Sequence, residues 1–160
     1  MDDREKTIHA KEVFDSLCER LDSKDWKYSV VDDEYIIRFE VNGNDLQMNF
    51  TFLVDEDRQL LRVYSRIPIT VPKEKTMDVA VATCIANYDM IDGSFDFDMT
   101  KGEIFFRMTA TFRDSEIGDG LFDHLVQYSI YAVDKYNDRF FGLAKGMIGI
   151  NDFLEKERNN

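Results

Sequence analysis

Among residue types able to do chemistry, the tightest grouping is Asp96, Asp98 and Glu103, with Arg107 within pairing distance if residues 99–102 form a hairpin loop. Two acids held close together can divide proton donation and acceptance between them. Phe95 and Phe97 alternate with Asp96 and Asp98, however, and the simpler reading is that the acids are the solvated half of an amphipathic strand. Asp96-x-Asp98-x-Thr100 opens like a calcium loop, but Lys101 stands at the sixth position, where such a loop needs Gly, and Arg107 at the twelfth, where it needs Glu. No metal site is expected.

Nucleophilic catalysis needs a Ser, Cys or Thr beside a positioned base. His9 and His124 fall early in predicted helices with no such context and read as surface or packing residues. Cys18 and Cys84 lack metal or redox spacing and sit on the apolar stripes of predicted helices. Both are expected to be small buried hydrophobes. No catalytic residue and no cofactor is expected, so the chain reads as a non-enzyme.

The elements that would position these groups follow from periodicity. Ala10, Phe14, Leu17, Cys18 and Leu21 share one side of a helix over about residues 4–24. From Trp26 the period becomes two: Tyr35, Ile37, Phe39 and Val41 alternate with their neighbours, as do Leu46, Met48, Phe50, Phe52 and Val54. Polar turns at 42–45 and 55–58 divide this region, with the strand from Gln59 to Ile67, into a meander of three or four antiparallel strands. Pro72 opens a second predicted helix over 72–89, with Met77, Val81 and Ile85 on its main apolar stripe. A hairpin follows, from Ser94 through the Thr100-Lys101-Gly102 turn to Phe112, and then a long helix, bent near Gly146 and Gly149. Within that helix Gly142 and Gly146 give a small-x-x-x-small spacing suited to close packing inside the chain, which Gly149 extends.

The expected fold class is therefore α+β: a mostly antiparallel sheet of five or six strands with three helices, in the order α-β-β-β-α-β-β-α, as one domain over residues 1–160. Ile36-Ile37, Leu60-Leu61 and Phe105-Phe106 are adjacent apolar pairs, so one member of each must face away from the main helices. That second face either forms an internal core under Tyr128, Tyr131, Ile148 and Ile150, or stays open to a partner.

Composition narrows the function. Asp and Glu number 32 against 20 Lys and Arg, and the formal charge of -12 opposes binding to nucleic acid. A hydrophobic fraction of 44% excludes a disordered chain. Residues 1–6 are charged where a signal peptide needs an apolar run, and no stretch is long enough to span a bilayer. A cytoplasmic protein with no membrane partner is expected.

The loop Arg66-Ile67-Pro68-Ile69-Thr70-Val71-Pro72, together with Asn87-Tyr88, the hairpin Gly93 to Asp98 with Gly102 to Arg107, and Asp134-Lys135-Tyr136 before Gly146, resembles the YbjN family of bacterial sensory-transduction regulators over about residues 12–150. The resemblance implies a fold similar to that of type III secretion chaperones, which are small, acidic, usually dimeric holders of client segments. The expected function is a protein-binding module, chaperone-like or regulatory, with a protein client or regulatory partner, the acidic surface favouring a basic one. A small enzyme with a pocket invisible in sequence, or a self-associating structural protein, is the alternative. A homodimer is expected through the small-residue flank Val79, Ala82, Thr83 and Ala86 of the second helix, and partner binding through Ile36, Leu60, Phe105 and Phe106.

Overall fold

The structure, a computed structural model, describes residues 2–159. Where the sequence alternates, the backbone is strand: β1 (Ser29–Val31), β2 (Ile36–Asn42), β3 (Gln47–Asp55), β4 (Leu60–Thr70), β5 (Ser94–Asp98) and β6 (Glu103–Thr111). They form one six-stranded sheet in the order β1-β2-β3-β4-β6-β5, with every neighbouring pair antiparallel. Because side chains alternate across a strand, one face gathers Ile37, Phe39, Phe50, Phe52, Leu61, Val63, Ile104 and Phe106, all buried.

Four helices are present among the described residues: α1 (Asp3–Ser23), α2 (Thr76–Asp89), α3 (Asp119–Ala144) and α4 (Ile150–Arg158). α1 begins with a capping box, in which Asp2 accepts from the Glu5 amide and Glu5 accepts from the Asp2 amide. α1 and α3 lie over the apolar sheet face, α2 packs on β5, and α4 packs on α2 and α3. Salt bridges from Arg20 (2.6 Å) and Lys24 (2.7 Å) to Asp123 join α1 to α3. They hold the Asp123 carboxyl well below the usual carboxylate range.

The long last helix is two helices rather than one bent one. It stops at Ala144 because Gly146 takes a left-handed φ of 71°, and the Gly146 and Met147 amides turn back onto the carbonyls of Leu143 and Gly142. Those contacts satisfy orphan carbonyls and end the helix. The chain then restarts as α4, so the order differs from expectation by one early strand and one late helix.

The helices cover one sheet face only. On the other, Ile36, Leu53, Leu60, Tyr64 and Phe105 are half-buried, and Arg38, Thr109 and Asp96 are exposed. Tyr128, Ile148 and Ile150 pack against the main core, while Tyr131 is 60% exposed. The alternative of a second internal core beneath them is thus overturned: they belong to α3, α4 and the segment joining them, on the opposite side.

α2 lies rotated from its predicted orientation. Val79, Ala82, Thr83 and Ala86 are its buried residues, whereas Met77 and Val81 are 68% and 46% exposed. Small side chains let α2 approach its neighbours within the chain, which a stripe of Met, Val and Ile would hold further off. The predicted interface flank is therefore core, not surface. Cys84, expected to be buried, is exposed for the same reason, and Cys18 is half-buried.

Candidate functional site: an apolar groove between α2 and α4

The rotation of α2 turns its larger apolar side chains outward. Val81, Cys84, Ile85 and Tyr88 of α2 face Leu154 of α4 across a groove of about 630 Å³. Asp89, Glu157 and Arg158 also line it. Tyr88 is 89% exposed, and Ile91, just beyond the helix, is fully exposed. The volume is within the range of ligand sites, and the lining is mostly apolar, with Asp89, Glu157 and Arg158 as its charged members.

Beneath α4, the polar groups converge. Glu157 accepts from the Tyr136 hydroxyl (2.6 Å) and from Lys135 Nζ (3.2 Å), and its other oxygen accepts from Arg139 Nη1 (2.5 Å). The side chains of Glu157 and Arg139 are only 4% and 5% exposed. Desolvation alone would raise the Glu157 pKa, but hydrogen bonds from Tyr136, Arg139 and Lys135 outweigh it and pull the value down to about 2. Burial, then the bond to Glu157, pushes the Tyr136 hydroxyl up. Arg139 Nη2 also donates to the Phe153 carbonyl, and its guanidinium lies 4.2 Å from the centre of the Phe153 ring. Phe153 completes the seam by packing on Phe140 and Tyr136.

The predicted partner-binding residues do not converge. Phe106 is fully buried in the core, against Phe95, so it offers nothing to a partner. Phe105 lies on the open face between Arg66 and Asp96 of the neighbouring strands, while Ile36 pairs with Leu53 and Leu60 with Asp55 at the far end of the sheet. Tyr64, Arg62 and Arg107 come between them.

The hairpin acids are brought near one another but are tied up separately. Asp96 pairs with Arg107 at 2.6 Å, Glu103 with Arg66 at 2.8 Å, and Asp98 accepts from the amides of Thr100 and Lys101 in the turn. His9 contacts Gln59 at 2.9 Å and packs edge-on to Phe112, and His124 contacts Asp92 at 3.0 Å. Among the described residues, no group of three or more His, Cys, Asp or Glu side chains is arranged to hold a metal ion. No helix of the described residues is long and apolar enough to cross a membrane.

Sequence reasoning missed Lys135, Arg139 and Glu157. The available signal was two cations, four residues apart, on a helix face otherwise occupied by Tyr136 and Phe140.

A family model described as "Putative bacterial sensory transduction regulator" matches residues 14–142. The chain belongs to the YbjN family. Among solved structures, the crystal structure of YbjN from E. coli, described as "a putative transcription regulator", is similar at a TM-score of 0.61 and 10% sequence identity, covering 82% of this chain and 92% of that one. At that identity the likeness shows the fold. No curated protein matches the chain. Within this YbjN-family chain, α2 and the basic side chains under α4 fall inside the matched residues, whereas α4 itself lies outside them.

Proposed function

We propose that this YbjN-family chain is a non-catalytic regulatory module that holds an apolar segment of a partner protein in the groove between α2 and α4. One observation carries the reading: the most exposed large apolar side chains of α2, Met77, Val81 and Tyr88, lie on one side of the helix beside an apolar groove. An amphipathic helix laid in a groove needs such a wall, and its apolar anchors supply the affinity. The acidic surface at a net charge of -12 would favour a segment with basic flanks.

The test compares capture by the unmodified chain with capture by Val81→Lys and by Tyr64→Lys, the latter on the open sheet face. A partner recovered by the unmodified chain and by Tyr64→Lys, but lost from Val81→Lys, supports the groove. Bound partner should also slow alkylation of Cys84. Capture that Val81→Lys leaves unchanged removes the groove from the function. A concentration-dependent dimer that dissociates in Val81→Lys would make the occupant a second copy of this chain.

A further inference from the structure

We infer that α4 is a displaceable internal ligand: it fills a receptor on α2 and α3 built for an amphipathic helix that carries an aromatic residue and, four positions later, a carboxylate. This goes beyond the open groove, because the receptor lies underneath α4 rather than beside it. Lys135, Tyr136 and Arg139 project from one side of α3, and all three donate to the Glu157 carboxylate. Phe153, four residues before Glu157, fills the apolar half of the receptor against Phe140 and under the Arg139 guanidinium. With α4 removed, two cations and a phenol would border an apolar trough. Only an acidic replacement could restore the charge balance, since an unpaired buried charge is strongly unfavourable.

Three observations mark α4 as removable. Apart from the Glu157 carboxylate, Phe153 is the only side chain it buries deeply, and a helix of about this length is marginal on its own. Residues 145–149 join it to α3 with glycine at 146 and 149, so it can swing without unfolding α3. The family match ends at residue 142, so the receptor's cations belong to the matched portion and α4 does not.

The receptor is also incompletely satisfied by α4. Arg139 Nε is buried and has no hydrogen-bond partner among the described residues, although Nη1 and Nη2 are both engaged. A carboxylate approaching in the two-pronged geometry that guanidinium favours would bond Nε together with an Nη. A partner helix presenting its acid that way would gain a contact that α4 leaves unmade, which offsets part of the advantage that tethering gives the internal segment.

The probe is a fluorescein-labelled synthetic peptide of residues 149–159, titrated by anisotropy into the full-length chain and into full-length Phe153→Ala and Glu157→Ala variants. With the internal competitor weakened, each variant should bind the probe at least tenfold more tightly than the unmodified chain, and a probe carrying Glu157→Ala should bind at least tenfold more weakly. Absence of binding to the folded variants, equal binding to the unmodified chain, or indifference to the Glu157→Ala probe would each overturn the inference. Should the variants not fold, hydrogen exchange of the unmodified chain decides. Amides of α4 should exchange at least tenfold faster than those at the middle of α3, and exchange at a common rate overturns displaceability. A Tyr64→Lys change on the open sheet face should leave exchange of α4 unaltered, and because the peptide titration needs no captured partner, its failure and failure of the groove are separate results.

Discussion

Glu157 shows how one side chain can couple two helices to pH. Its carboxyl is held near 2 in the folded chain, against an ordinary value of 4.5. A depressed folded value means stabilisation that is complete above the unfolded value and lost as pH falls through the folded one. We expect Glu157→Gln to cost about 3 kcal/mol at pH 7, in the range for disturbing one partner of a buried pair. Urea unfolding should show that gap holding down to about pH 4.5 and closing towards pH 2. A gap independent of pH would show that the carboxylate charge is not what Arg139 recognises. The hairpin acids lie at the other extreme: Asp96→Asn with Asp98→Asn should change stability by under about 1 kcal/mol, and calorimetric titration with calcium should give no saturable heat.

At the scale of elements, small residues decide which way a helix faces. Ala82 is fully buried, so Ala82→Glu should destabilise the chain itself by about 3 kcal/mol or more, through an unpaired charge in the core. Thermal unfolding should show this loss independently of protein concentration, whereas a loss that appears only on dilution would return this flank to an interface. Asn87 performs a different task at the sheet edge. Its Oδ1 accepts from the Phe95 amide (2.7 Å) and its Nδ2 donates to the Phe95 carbonyl (2.9 Å), so α2 occupies hydrogen-bonding positions that edge strand β5 would otherwise present to another chain. Asn87→Ala should cost about 1–3 kcal/mol and raise aggregation during refolding, measured by turbidity. Gly102 fixes the other end of that hairpin, since its φ is 69° and an added Cβ would lie 2.5 Å from the Val71 carbonyl oxygen.

For the whole molecule, charge sets the kind of partner. The open sheet face carries Arg38, Arg62, Arg66 and Arg107, and the last three are engaged by acids, Asp55, Glu103 and Asp96 respectively. One exposed arginine, Arg38, is too little to offset a net charge of -12. Mobility-shift titration at about 150 mM salt should accordingly retain no duplex DNA, since phosphate neutralisation dominates such binding. Retention with a steep salt dependence would contradict a purely protein-binding role.

What the sequence by itself determined was local. Alternation placed Ile37, Phe39, Met48, Phe50, Phe52 and Val54 on one face of their strands, and the Thr100-Lys101-Gly102 turn placed the hairpin, because a period of two admits only one set of neighbours on each side of a strand. The residues of the loop, hairpin and last helix pointed to the YbjN family, which the match over 14–142 shows. Only the tertiary structure decided which face of α2 turns inward. Both stripes are apolar, and close approach selected Val79, Ala82 and Ala86 over Met77 and Val81. The break at Gly146 was equally ambiguous, since a glycine in a helical pattern can bend the helix or end it until its φ is fixed. The carboxylate receptor was beyond sequence reading for a related reason: Arg139 and Glu157 are joined by a fold in the chain, not by a spacing, and burial rather than proximity in sequence makes their pairing matter.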